Sequence, residues 1–141
     1  MNIFPVPPDN LHDWWDMVRD DIVECSSHDK ENVWPEDVYS ALKSGWAVLY
    51  VCTVNGDYQG MMVTTTHTDQ WDQSNRWLHV WFLNVHNRPD VIQAGNKYLE
   101  GVARQMGFNM ITFRADKEAF ERWGKRLGFE IGEIELRRRL D

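Results

Sequence analysis

WLHVWFLNVHNRPDVIQAGNKYL, residues Trp77 to Leu99, changes character halfway along. Up to Val85 both alternating sets of side chains, Leu78/Val80/Phe82 and Trp77/His79/Trp81, are largely apolar. This pattern predicts a strand inside a sheet, covered on both faces. From Pro89 to about Met106 the chain reads as an amphipathic helix, stopped by Gly107. A strand running through a tight loop into a helix leaves free N–H groups at the helix start, where a nucleotide or coenzyme phosphate is often held. Whether Val85 to Gly95 holds one decides much of the function.

Upstream, NIFPV is a short strand closed by Pro7 and Pro8. Leu11, Trp14, Val18, Ile22 and Cys25 then recur at helical spacing, which predicts a helix with one buried stripe and Asp9 or Asn10 as its N-cap. Ser26 to Asn32 is the connecting loop, and Pro35 to Ser44 a second helix, with Pro35 in the first turn and Gly45 ending it. WAVLYVCTV and YQGMMVTTTH flank Asn55-Gly56-Asp57. Asn-Gly between β-rich runs marks a type I′ hairpin, because both turn residues need positive φ. Downstream, NMITFRA is a strand, Asp116 to Leu127 a helix ending at Gly128, and EIGEIELRRRL a last strand. The predicted order is β-α-α-β-β-β-α-β-α-β over one domain, residues 1–141.

A chain of 141 residues with 43% apolar content supports one real core. The net charge of −7 disfavours nucleic acid as a partner; the only dense basic run is Arg137 to Arg139, expected on an edge strand where charge prevents unwanted pairing. Cys25 and Cys52 have no CxxC or Cys/His spacing, so reduced thiols are expected rather than a disulfide or a metal site. With no basic leader and no long apolar run, the expected place is the cytoplasm, with no membrane partner. Eight tryptophans exceed what such a core readily hides, and Trp14, Trp15, Trp34 and Trp71 are candidates for a protein interface, with a partner or by self-association.

The order of elements resembles the GNAT fold, the Gcn5-related N-acetyltransferases, over essentially the whole chain. Two local matches add to it. FERWGKRLGF, Phe120 to Phe129, looks like the family's helix ending in a Gly-Phe turn before the last strand. Val85 to Gly95, followed by Tyr98-Leu99, can be laid without a gap on the family's coenzyme loop. A closer likeness is to the small GNAT-like proteins of tailed bacteriophages, through NIFPVPPDN, WPEDVYSALKSG, the strand-rich hairpin, GVARQMGFNMITF and FERWGKRLGF. The resemblance implies an α/β (α+β) fold with a central mixed, mostly antiparallel sheet flanked by about four helices. It also implies a setting in host cytoplasm or a virion.

In the family, glycines let the backbone approach the coenzyme pyrophosphate and an arginine adds charge-assisted bonds. Here Asp90 stands at the arginine position, Val91 and Gln93 replace glycines, and only Gly95 remains. Losing a charge-assisted hydrogen bond costs roughly 1.5–3 kcal/mol, and a carboxylate about 4 Å from a phosphate adds about 1–4 kcal/mol of repulsion. Together these weaken binding on the order of a hundred- to a hundred-thousand-fold. The residues read as a helix start: Asn87 as cap, Pro89 in the first turn and Asp90 complementing the helix dipole. Arg88 is a possible substitute cation. The expectation is a non-catalytic interaction or structural module, without a cofactor.

The alternative is an acetyl-CoA-dependent N-acyltransferase acting on an amine. Asn84, Val85, Arg88, Val91, Gln93 and Gly95 would then bind coenzyme, with His79 as general base. His79 alternates with Trp77 and Trp81, which equally fits packing in an aromatic layer. The tyrosine that often reprotonates the coenzyme thiolate in the family falls on Gly124, and Tyr98 is the nearest substitute. His67 and His86 lack metal-site spacing. Asp13, Asp16, Asp20, Asp21 and Glu24 make an acidic outer face on the first helix, and the Thr64 to Thr66 run suits a strand.

Overall fold

A computed structural model describes residues 1–28, 33–86, 88–114, 118, 120–132, 136, 138 and 140. Strand β1 (Asn2–Val6) leads into a 3-10 turn (Pro8–Asp13), helix α1 (Trp15–His28) and helix α2 (Pro35–Ser44). Then come β2 (Ala47–Val54), β3 (Asp57–Thr68), β4 (Arg76–Val85), α3 (Pro89–Gln105), β5 (Met110–Phe113) and a π-helical turn (Phe120–Gly124). The five strands form one sheet in the order β1-β2-β3-β4-β5, antiparallel except for the β4–β5 pair. This is the mixed α+β architecture expected.

The hairpin turn is as the sequence predicts: Asn55 has φ 53° and Gly56 φ 82°. Gly45 ends α2 in the left-handed region, its N–H bonded to the Leu42 carbonyl. The start of the first helix differs from expectation. Neither Asp9 nor Asn10 caps an α-helix; Pro7 precedes a 3-10 turn with no side-chain cap, and α1 begins only at Trp15. Pro8 opens that turn, and the short-range bonds Asn10 N–H to Pro7 O and Trp14 N–H to Leu11 O close it. At its other end α1 runs through Ser26 to His28, which the sequence assigns to a loop; 29–32 lie outside the described residues.

The sheet buries one core on each face. Val18, Ile22, Val38 and Leu42 from α1 and α2 pack on Leu49, Val51, Met61, Val63 and Phe82. Leu99 and Ala103 from α3 pack on Tyr50, Met62, Leu78 and Val80. Phe82 therefore does not share a face with Leu78 and Val80, as strict alternation predicts. The register explains why: Val63 pairs with Phe82 but Thr64 with Val80, so Trp81 is an extra residue that inverts the alternation beyond it.

Towards the C-terminus, Phe120–Gly124 forms the turn where a longer helix was expected, and Gly128 closes the segment with φ 87°. Asp116 lies outside the described residues. So do 133–135, Arg137 and Arg139 of the expected last strand, while Glu130 to Gly132, Leu136, Arg138 and Leu140 are not in a strand. Among the described residues no helix is long and apolar enough to cross a membrane.

Candidate functional site

The site lies where β4 and β5 part. Among the described residues they pair from Trp77–Met110 to Val80–Phe113, and no described strand pairs with β4 on that side from Trp81 to Val85. The bulge at Trp81 sits at the point of separation. A bulge bends its strand, so the course of β4 changes where its pairing with β5 ends. On the β5 side Phe113 meets Trp123 at 5.0 Å between ring centroids, and Trp81 packs on Phe82 and Trp46.

Helix α3 starts directly beyond β4. Pro89 occupies its first turn and Arg88 the capping position, with no side-chain cap bond; Asn87 lies outside the described residues. Asp90 is in the first turn, as the dipole argument predicts. Arg88 donates to it through Nε (3.0 Å) and Nη2 (2.8 Å), a bidentate pair at the exposed mouth of the loop. The Arg88 bond, helped by the Val91 and Asp90 amides, holds the Asp90 carboxyl below the ordinary range. The cation that could have met a phosphate is thus already matched by a carboxylate.

Two of the remaining loop residues serve packing. Val91 and Gly95 are buried, and Gln93 is exposed. A Cβ on Gly95 would stand 3.2 Å from Met62 Sδ, so this glycine lets α3 approach the sheet closely. Val85, Val91 and Gly95 line, with Ile3, Tyr50 and Leu83, a cavity of about 10 Å³, which is about one water molecule's room. Asn84 turns away from the helix, its amide donating to Asp21 Oδ1 and Glu24 Oε2, each at 3.2 Å.

That contact reveals a cluster the sequence conceals. Asp21, expected on the outer acidic face of α1, is only 4% exposed. Its carboxylate accepts from Tyr58 Oη (2.5 Å) and Asn84 Nδ2, and meets His86 Nε2 at 2.8 Å. A buried carboxylate needs this many partners to offset its lost hydration. Burial and the Asp21 bond push the Tyr58 phenol far up, so it keeps its proton, which it donates to the Asp21 carboxylate. Burial, then the charges of Asp21 and Glu24, raise the Cys25 thiol to about 11, which leaves it protonated and unreactive. The available signal was position: Asp21 adjoins Val18, Ile22 and Cys25 on the buried stripe.

His79 lies apart from this cluster, in an aromatic layer. Its Nδ1 shares a hydrogen bond with Thr112 Oγ1 (2.7 Å), its ring meets His67 edge-on, and His67 stacks on Trp77. Burial, then the charges of His67 and Arg114, lower it to about 4. Such an imidazole is neutral at pH 7 and a weak base. Tyr98 packs against Tyr50 under α3. Gly124 is buried and accepts from the Phe129 N–H. Among the described residues no group of His, Cys, Asp and Glu could hold a metal ion.

The four interface candidates divide. Trp14 packs on Phe4 and Tyr58, and Trp15 on Tyr39, against the α1–α2 core. Trp34 is 66% and Trp71 92% exposed. Trp46, not among the candidates, is 63% exposed.

No protein-family model and no curated protein matches the chain by sequence. Solved structures match its fold. An aminoglycoside acetyltransferase from an uncultured soil metagenomic sample, in complex with sisomicin, superposes with TM-score 0.76 at 11% identity, covering 99% of this chain and 96% of that one. The ribosomal-protein-alanine N-acetyltransferase of Brucella melitensis biovar Abortus 2308 gives 0.75 at 12% identity, over 99% and 100%. A predicted acetyltransferase with acetyl-CoA from Clostridium acetobutylicum gives 0.70 at 12% identity, over 98% and 95%. At such identities the likeness establishes the fold, that of the GNAT acetyltransferases.

Proposed function

We propose that this chain is a non-catalytic binding module of the phage type, built on the acetyltransferase fold and acting in host cytoplasm or a virion. The observation that carries this reading is the Arg88–Asp90 pair at the start of α3. It sets a carboxylate where the fold's relatives would hold pyrophosphate, and it engages the guanidinium that could otherwise meet a phosphate there. Among the described residues, the neutral, layered His79 and the glycine at 124 do not form an acid–base pair for acetyl transfer. Exposed Trp34, Trp46 and Trp71 supply contact surface of the kind that anchors protein interfaces.

The second reading, an N-acyltransferase with a divergent loop, draws support from the parting of β4 and β5 beyond Val80. In that reading the Asn84 and Val85 backbone and the amides of Val91 to Gly95 hold acetyl-CoA. One calorimetric titration with acetyl-CoA to millimolar concentration decides between the two. The module gives no saturable heat; micromolar binding would overturn it in favour of the enzyme.

A further inference from the structure

The β3–β4 loop is built to hold one side chain away from the protein. Asp69 Oδ1 accepts from the N–H of Trp71 (2.8 Å) and of Asp72 (3.3 Å), and the Asp69 N–H donates to Asn75 O (2.9 Å). Asp72 in turn accepts from the backbone and hydroxyl of Ser74. At the top of this tied loop stands Trp71, 92% exposed. An indole in that position adds almost nothing to folding. A loop already fixed in shape loses little entropy on docking, which is what an interface anchor needs.

The same end of the sheet carries a receptor. Pro5, Val6, Pro8, Leu11, Leu42 and Val48 are among the residues that line an open apolar cavity of about 180 Å³. A dry cavity of roughly 150 Å³ suffices to take up a benzene ring, so this one admits an aromatic side chain. It lies where β1 ends and β2 begins, at the Val6–Leu49 pair. β3 runs past Thr65, the partner of Ala47, to Thr68 and then enters the Trp71 loop. Cavity and loop therefore lie at the same end of the sheet, the loop beyond the end of β3. Trp46 is exposed at the start of β2, beside the cavity-lining Ala47.

We infer that this end of the sheet is a self-complementary contact: Trp71 of one copy fills the Pro5–Leu49 cavity of a second, and the second returns the contact. The inference rests on the binding-module reading and names its partner. A projection and a cavity at the same end of the sheet suit a two-fold pair, in which each is used once per copy. Charge is complementary, since Lys43 reaches over the cavity rim to the Pro8 carbonyl while Asp69 and Asp72 flank the base of Trp71. Trp46 and Trp71 from both copies bury roughly 600–1,000 Å², and the surfaces they cover supply a similar area, enough for a specific dimer.

Sedimentation velocity of the full chain from low micromolar to near-millimolar concentration tests this. Wild type is expected to shift from monomer to dimer, whereas Trp71→Ala and Val48→Asp stay monomeric with unchanged circular dichroism. Mixing the two variants restores a weaker dimer, because one intact projection then meets one intact cavity. A wild type that stays monomeric throughout, a Trp71→Ala that dimerises like wild type, or a mixture that stays monomeric overturns the contact. None of these touches the module reading, which falls only if acetyl-CoA binds.

Discussion

Arg88 grips Asp90 with both arms of its guanidinium at the first turn of α3, and the pair occupies the ground between the end of β4 and the helix N-terminus. The helix dipole favours the carboxylate there, so the arrangement is locally stable without any ligand. The same dipole would favour a phosphate, which makes Asp90 an internal competitor for that position.

Replacing the competitor should therefore restore anion binding. Asp90→Arg with Gln93→Gly removes the carboxylate and supplies a charge-assisted bond to phosphate, about 1.5–3 kcal/mol or roughly ten-fold or more in affinity. Calorimetric titration with acetyl-CoA should show at least a ten-fold gain over wild type. An unchanged isotherm would mean that the space between β4 and β5 is closed to the coenzyme and that the loop is not the obstacle.

Asp21 holds the end of β4 to α1, and its loss should be felt as stability. Asp21→Ala strands the Tyr58 hydroxyl and takes one of two acceptors from the Asn84 amide, at about 1–3 kcal/mol for each buried donor left unsatisfied. Tyr58→Phe removes one hydrogen bond to a charged group, about 1.5–3 kcal/mol. Urea unfolding should rank Asp21→Ala below Tyr58→Phe below wild type. An Asp21→Ala protein within about 1 kcal/mol of wild type would show that the cluster is not structural.

Much of this was legible in the chain, and what was not has physical causes. Asn55-Gly56 fixes the hairpin because few other pairs tolerate two positive φ values. The bulge at Trp81 left no trace, since both alternating sets in LHVWFL are apolar and a change of parity alters nothing in the pattern. Asp21 was hidden among Asp16, Asp20 and Glu24, and what draws it inward comes from β3 and from the end of β4 and beyond, through Tyr58, Asn84 and His86. The degenerate loop could be read residue by residue, but the Arg88–Asp90 pair follows from the turn into α3 rather than from helical spacing.

His79 predicts a pH dependence with a definite sign. The unfolded imidazole takes up a proton as pH falls through about 6.5, whereas the folded one resists until about 4. Between those values the unfolded state binds more protons, so stability rises with pH and is lost as pH falls from about 6.5 to about 4. Comparing melting temperature against pH for wild type and His79→Gln isolates this contribution. The variant should have the shallower slope in that window; parallel curves would mean His79 does not resist protonation.

Two buried glycines, both near the α3 end of β4, should respond oppositely to alanine. A Cβ on Gly60 would lie 2.5 Å from the Asn84 carbonyl oxygen and 3.1 Å from Val85 Cα, both backbone atoms of the paired strand. Nothing there can move without displacing β4, so Gly60→Ala should cost about 1–3 kcal/mol or more and shift the Asn84 amide off Asp21. A Cβ on Gly95 meets the Met62 thioether, 3.2 Å from Sδ and 3.6 Å from Cε, the far end of a side chain that readily re-packs. Alanine also gains up to about 1 kcal/mol over glycine inside a helix, which offsets that adjustment. Gly95→Ala should therefore unfold in urea near the wild-type midpoint while Gly60→Ala unfolds well below it. The reverse order would mean that α3, rather than the β3–β4 pairing, sets the tight spacing at this end of the sheet.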